Sequence, residues 1–392
     1  MTEWKEYKLG EIADVQTGPF GSQLHQSDYV DVGIPSIMPV NIGNRMDIST
    51  EKIVYITEKD AKRLSRYRVQ IGDIVYSRRG DVEKCAYINE KENGWLCGTG
   101  CLRIRIDLSK ADSKFIAYYL STDDMKSWIS NNAVGTTMPN LNSSILQQIP
   151  LSLPTLSNQR RIAAILSSLD DKIDLLHREN ATLEQMAETL FRQWFVEEAK
   201  EDWEEGTVAD LVEFNPTRKL VKGTIAPFLE MSNLSTSTYA PTYWYNRAFS
   251  SGSKFQNGDT LLARITPCLE NGKTAYVDFL NENQVGWGST EFIVMHSKLG
   301  IHSFFSYVIA KYQDFRDYAE SCMSGSSGRQ RVDVDNLKNY PINIPDKTAI
   351  AYFNSEIDTM VSKMNNNNKQ IQTLIQTRDG LLPRLMSGEV KL

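Results

Sequence analysis

The chain has 392 residues, of which 41% are hydrophobic, and a formal net charge of −6. That length is too great for one ordinary domain and suits two or three. No apolar run reaches the ~18 residues of a membrane-spanning helix, the opening Met1-Thr-Glu-Trp-Lys-Glu lacks a signal-peptide core, and five cysteines without framework spacing predict reduced thiols in the cytoplasm.

In chain order, Leu9 to Val15 predicts a short helix or turn entering a strand, and Gly18-Pro-Phe-Gly-Ser predicts a loop. Tyr29 to Ile42 alternates apolar residues with Gly33, Pro35 and Pro39, so a strand interrupted by turns is expected. Lys59 to Arg66 predicts a short basic helix. Asp73 to Ser77 and Cys101 to Asp107 predict strands. In the second, Leu102, Ile104 and Ile106 alternate with Arg103 and Arg105, which leaves one face wet. A mixed α/β (α+β) domain with a largely antiparallel sheet is expected over residues 1–155.

A sustained seam follows. From Ile162, steps of four and three reach Leu166, Leu169, Ile173, Leu176, Asn180, Leu183, Ala187, Leu190 and Trp194, and only Asn180 is polar. This predicts a helix from about Ser157 to Lys200 within residues 156–202, which at ~1.5 Å per residue is ~65 Å long. A second globular stretch spans 203–345. A second seam then runs from Ile350 through Phe353, Ile357, Met360, Met364, Asn367, Ile371, Leu374, Arg378, Leu381 and Leu385, in a helical region 346–392 expected to reach about Gly380. A buried Asn in such a seam costs stability but fixes register. Asn180 and Asn367 are therefore expected to meet in an antiparallel coiled coil; the alternative is that both are solvent-exposed.

The chain is also written twice. Gly72-Asp-Ile-Val-Tyr-Ser-Arg-Arg returns as Gly258-Asp-Thr-Leu-Leu-Ala-Arg, and Gly94-Trp as Gly286-Trp. Aromatic segments (Phe115 to Trp128, Phe304 to Tyr318), Gly/Ser/Thr loops and Pro-bounded strands (Ile149 to Pro154, Tyr340 to Pro345) repeat in the same order. The spacing is far longer than the ~20–50 residues of a solenoid repeat. Two domains of one type, each followed by one long helix and related by a pseudo-two-fold, are expected.

The overall acidity runs against a nucleic-acid binder, but the charge is unevenly placed. Lys59 to Arg79 holds seven positive residues against Asp60 and Asp73, while Ser157 to Asp202 holds six against ten acids. A basic patch on an acidic molecule binds phosphate; the competing reading is a solvated helix face.

Motifs for catalysis are largely missing. Gly272-Lys-Thr has Pro267 where a phosphate loop needs glycine, so the backbone cannot wrap a phosphate. The histidines (25, 177, 296, 302) are scattered, and Cys97 and Cys101 have no second ligand pair for zinc. Asn215-Pro216 matches only the start of an amino-methyltransferase motif. A non-catalytic binder is expected, with no cofactor of its own.

Leu153-Pro-Thr-Leu-Ser-Asn-Gln-Arg-Arg-Ile-Ala-Ala-Ile-Leu resembles the junction and first conserved helix of type I restriction–modification specificity subunits. Leu183 to Phe195, the C-terminal Leu381-Leu-Pro-Arg-Leu-Met-Ser-Gly-Glu-Val, Gly18-Pro-Phe-Gly-Ser, Gly72 to Arg78 and Gly135-Thr-Thr-Met-Pro-Asn-Leu extend the resemblance over essentially the whole chain. Asn158 stands where the family usually has Glu, and Pro345-Asp-Lys-Thr has lost the junction signature. The resemblance implies two target recognition domains, each reading half of a split sequence in double-stranded DNA. It implies that the helices set the spacing and dock two methyltransferase subunits, which restriction (motor-nuclease) subunits join. S-adenosylmethionine, ATP and Mg²⁺ would then belong to those partners, and no membrane is involved.

DNA reading calls for Arg or Lys on phosphate and guanine, and Asn or Gln on adenine, carried on loops. The candidates are Ser22, Gln23, Asn41, Ser77, Arg78, Arg79, Thr136, Thr137 and Asn140 in the first copy, and Ser232, Asn233, Arg264, Arg329 and Arg331 in the second. Arg78 and Arg264 fall at nearly equivalent places. The competing reading makes these arginines surface ion pairs. Trp95 and Trp287, beside equivalent glycines, are expected in the core. A duplicated coiled-coil scaffold that binds only proteins predicts no salt-dependent DNA affinity; an unseen enzyme predicts turnover by the chain alone.

Overall fold

A computed structural model describes residues 4–135, 139–241, 243–326 and 328–390. It divides into two compact units, one of residues up to 171 together with 375 onward, the other of 172–374. Each unit therefore combines one globular domain with parts of both long helices, rather than ending where domain meets helix.

The first unit holds a four-stranded antiparallel sheet in the spatial order Ala13–Thr17, Cys101–Ile106, Ile74–Ser77, Cys85–Tyr87. A second sheet runs Tyr29–Val30, Val54–Ile56, Ile34–Ile37, Leu96–Cys97, and its last pair is parallel. The strands Lys5–Lys8 and Pro150–Leu153 close the domain as an antiparallel pair. The expected strand over Tyr29 to Ile42 is broken into two strands and the 3₁₀ turn Pro39–Asn41, as its prolines require. The basic helix is short, Glu58–Arg63, capped by the Thr57 hydroxyl on the Asp60 N–H.

The second unit repeats this plan. One sheet runs Val212–Phe214, Phe292–Ser297, Asp259–Ala263, Thr274–Tyr276. The other runs Tyr245–Ala248, Ile225–Leu229, Gly286–Gly288, Ser253–Phe255, with Ile225–Leu229 and Gly286–Gly288 parallel. Glu204–Thr207 pairs with Pro341–Ile344 as the closing ribbon. The first sheet keeps one strand order in both units, and each second sheet holds one parallel pair, at its edge in the first unit and at its centre in the second, so the duplication is structural as well as sequential.

The first long helix is α-helical over Leu156–Arg192 and then opens into a π turn, Gln193–Glu197, short of the expected Lys200. Aromatic packing dominates here. Phe195 sits 5.0 Å from Phe353, 5.7 Å from Phe305 and 6.2 Å from Trp203, ring to ring. The second helix, Lys347–Met386, does not stop near Gly380; it runs on through Gly380 and Pro383. A glycine costs ~1 kcal/mol in a helix and a proline more. Leu385 and Met386 offset that cost by burying themselves in the core of the first unit.

None of the seam positions is exposed. In the second unit the two helical stretches run in opposite directions: Phe195 meets Phe353, and Asn180 meets Asn367. Asn367 donates to the Asn180 amide oxygen at 2.9 Å and to Glu179 at 2.9 Å, and Asn180 donates to Asn368 at 3.0 Å. The third polar seam residue, Arg378, pairs with Asp170 at 2.8 Å in the first unit. Trp287 is core, 4.3 Å from Phe228 and 5.3 Å from Phe249, whereas Trp95 is half-buried.

Candidate nucleic-acid interface

Both copies build their central strand from a Gly-Asp step. Gly72 and Gly258 turn the chain at φ 90° and 87°, a left-handed conformation open to glycine at little cost. The aspartate that follows is buried and accepts a backbone N–H three residues back, from Gln70 at 2.8 Å and from Gln256 at 2.7 Å. Asp73 also takes both arms of Arg105, at 2.8 and 2.7 Å. That ion pair raises the Arg105 pKa. The strand is thus anchored at its buried start.

At its other end, Ile74–Ser77 delivers Arg78 to a cluster of loops. The Arg78 N–H donates to Gly100 at 2.8 Å, and its carbonyl accepts from Leu141 at 2.9 Å. The Thr99 hydroxyl donates to the Pro19 carbonyl at 3.0 Å, and the Gly18 N–H to Cys101 at 2.9 Å. A Cβ on Gly18 would stand 2.1 Å from the Gly98 carbonyl oxygen, so only glycine allows this approach. The Gly18 loop, Arg78–Arg79, the Gly98–Gly100 turn and Asn140 therefore form one face. Phe20, 56% exposed, stands at its edge.

Asp259–Ala263 delivers Arg264 in the same way. Its N–H donates to Glu291 at 3.0 Å, and its carbonyl accepts from Val332 at 2.9 Å. Arg79 bridges Asn140, and Ile265 bridges Arg331. Arg78 and Arg264 are thus equivalent in backbone geometry. Each is half-buried, with an Nε that has no hydrogen-bond partner among the described residues. Arg264 also donates to the Val332 carbonyl at 3.0 Å. Arg79 and Arg329 are exposed, and their guanidinium groups have no partner among the described residues.

Several expected readers of DNA hold structural hydrogen bonds or an ion pair within the domain. Asn41 is fully buried; its amide oxygen accepts from the Met38 N–H at 2.9 Å and its nitrogen donates to Glu51 at 3.1 Å. Asn233 caps Glu230 in the same way at 2.9 Å. Ser77 is buried and donates to the Arg79 carbonyl at 2.8 Å. The Gln23 side chain accepts from Tyr67 at 2.7 Å. Arg331 is held by Glu291 through bonds of 2.8 and 3.0 Å, and that carboxylate raises its pKa, so the ion-pair reading applies to it. Ser22 and Ser232 are exposed, the latter donating to Glu230 at 3.3 Å, and Asn140 is half-buried. Thr136 and Thr137 lie outside the described residues.

Sequence reasoning missed Glu291, which clamps Arg331, and Lys273, whose ammonium ties the Ser232 turn through the Met231 carbonyl at 3.0 Å. The role of Asn41 and Asn233 was signalled by position: each follows by three the residue whose N–H it caps, the spacing of a side-chain-closed turn. Among the described residues, no group of three or more His, Cys, Asp or Glu side chains is placed to hold a metal ion. No helix there is long and apolar enough to cross a membrane.

The family model for the type I restriction modification DNA specificity domain matches the chain twice, over residues 1–185 and 200–376. The chain belongs to this family. Across its whole length it is 24% identical to the type I restriction enzyme MjaIX specificity subunit of Methanocaldococcus jannaschii, covering 94% of that protein. It is 21% identical to the HindI specificity subunit of Haemophilus influenzae, with both chains covered in full. The crystal structure of a type I restriction–modification S subunit from M. genitalium shares the fold, with a TM-score of 0.57 at 16% identity over 98% of this chain and 96% of that one. Family membership gives the doubled plan its meaning: each match takes in one copy of the loop cluster built around Arg78 or Arg264.

Proposed function

We propose that each globular domain reads one half of a bipartite, asymmetric target in double-stranded DNA through its loop cluster. The helices pair as an antiparallel coiled coil with pseudo-two-fold symmetry, set the gap between the halves and dock two methyltransferase subunits. Restriction subunits join that complex. Adenine methylation and ATP-dependent cleavage, with their S-adenosylmethionine, ATP and Mg²⁺, belong to these partners; the chain itself is a non-catalytic cytoplasmic subunit.

The observation that carries this reading is the pair Arg78 and Arg264. The same backbone bonds present both arginines, but their surroundings differ. Gly100 and Asn140 stand beside the first, Glu291 and Arg331 beside the second. A conserved frame with divergent loops suits two readers of different half-sites.

Genome-wide mapping of adenine methylation tests it, in cells with and without this chain plus its methyltransferase subunit. A two-part motif with different halves and a fixed gap should appear only with the chain. An active methyltransferase whose motif ignores the chain would return it to the protein-scaffold reading.

A further inference from the structure

Polar residues that flank the two seams are bonded to tyrosine hydroxyls of the globular domains. In the first unit, Tyr118 donates to Asp170 at 2.5 Å, and the same carboxylate holds Arg378 at 2.8 Å. In the second, Tyr239 donates to Asp278 at 2.8 Å and accepts from Asn368 at 2.6 Å. Asn368 in turn accepts from Asn180, which accepts from Asn367. Tyr307 donates to Glu184 at 2.5 Å, a helix carboxylate only 8% exposed. All three tyrosines are at most 2% exposed.

Burial raises the pKa of each hydroxyl, with the neighbouring carboxylates adding to the effect, so all three remain protonated donors at ordinary pH. Packing alone specifies orientation poorly, because apolar contacts are non-directional. A buried hydroxyl aimed at a buried carboxylate has one good geometry, and leaving that acceptor unpaired is costly. Each domain is thus pinned to the helices by directional bonds to polar residues beside the seams.

We infer that Tyr118, Tyr239 and Tyr307 are positioning residues that fix the angle of each recognition domain on the helices and so hold the gap between half-sites to a single length. This rests on the reading of the chain as a bipartite DNA reader. Among the described residues, no side-chain hydrogen bond or ring contact of these tyrosines reaches a loop of the candidate interface. They therefore act on spacing and leave the sequence of each half-site unchanged.

Methylation mapping of the complete complex, with wild-type chain and with Y118F, Y239F and Y307F singly, tests the inference. Phenylalanine keeps the buried ring, so the core stays filled. Removing one hydroxyl should raise the share of methylated sites whose gap is one base pair longer or shorter by about fivefold, the population change of one typical hydrogen bond, with both half-sites unchanged. A single unaltered gap in all three variants overturns the inference, whether total methylation holds or falls, since falling methylation at a fixed gap means the tyrosines only stabilise the fold. Absence of a bipartite motif with the wild-type chain would instead overturn the function proposed above.

Discussion

Asp73 and Asp259 occupy the same place in the two copies but are neutralised by different partners. Among the described residues, Arg105 alone reaches Asp73 as a cation, from the neighbouring strand. Asp259 takes Arg218 at 2.8 Å, and His296 lies at 2.8 Å in the register position that Arg105 holds in the first copy. Duplication kept the buried acid, because the turn after Gly72 or Gly258 uses it as a cap, and let the counter-charge drift.

That difference predicts unequal responses to losing one cation. Arg105→Ala leaves Asp73 buried with only backbone donors, and breaking a buried pair costs about 3 kcal/mol. Arg218→Ala leaves His296 beside Asp259, so its cost should be smaller, about 1–2 kcal/mol. Urea denaturation of the full chain, following each unit with a local probe, should show the larger midpoint shift for Arg105→Ala. Equal shifts would mean that His296 contributes nothing.

The two asparagines of the seams predict a sign reversal. Asn367→Leu leaves the buried amide oxygen of Asn180 without its donor, at a cost of about 1–3 kcal/mol. Replacing Asn180 as well removes the stranded amide and lets apolar packing recover part of the loss. Thermal melting should rank wild type above the single variant, and the double variant above the single. A double variant that melts below the single one would show that the polar pair is needed for folding.

The fold was legible where a period is long and one-sided. The seams were read residue by residue, and the meeting of Asn180 with Asn367 followed from a single polar position in each. The duplication was legible because Gly-Asp marks the same turn in both copies and Gly-Trp an aromatic packed on each domain's core, buried as Trp287 and half-buried as Trp95. The helix ends were not, since Gly380 and Pro383 speak for a stop and only the distant burial of Leu385 and Met386 overrides them. The candidate site was half legible. Arg78 and Arg264 could be aligned, but whether an Asn or Arg faces solvent depends on partners far along the chain. The Glu291 clamp on Arg331 spans 40 residues and leaves no local pattern.

That clamp gives a prediction about DNA affinity. Glu291→Gln keeps the shape of the side chain but frees the charge of Arg331 beside Arg264. On the proposed reading one more cation then reaches phosphate. Binding of the complete complex to non-specific duplex should tighten at low salt, and the slope of log affinity against log salt should steepen by about one. Arg331→Ala in the same background should abolish the gain. An unchanged slope in Glu291→Gln would place Arg331 away from the DNA path.

His302 predicts a pH dependence within the second unit. Its Nδ1 accepts the Phe304 N–H at 3.1 Å, which requires the neutral ring there. Burial lowers its pKa below the usual 6.5, against a weaker upward pull from Asp358 at 3.7 Å. A base with a depressed folded pKa binds its proton more readily when unfolded, so protonation favours unfolding. Its neutral form therefore costs nothing at pH 8, and stability is lost progressively as pH falls below about 6.5 toward the lowered folded value. Urea midpoints of the second unit at pH 8 and pH 5.5 should differ more for wild type than for His302→Gln, whose amide oxygen can accept the same N–H without titrating. Equal differences in the two proteins would show that Asp358 compensates the burial of His302 in full.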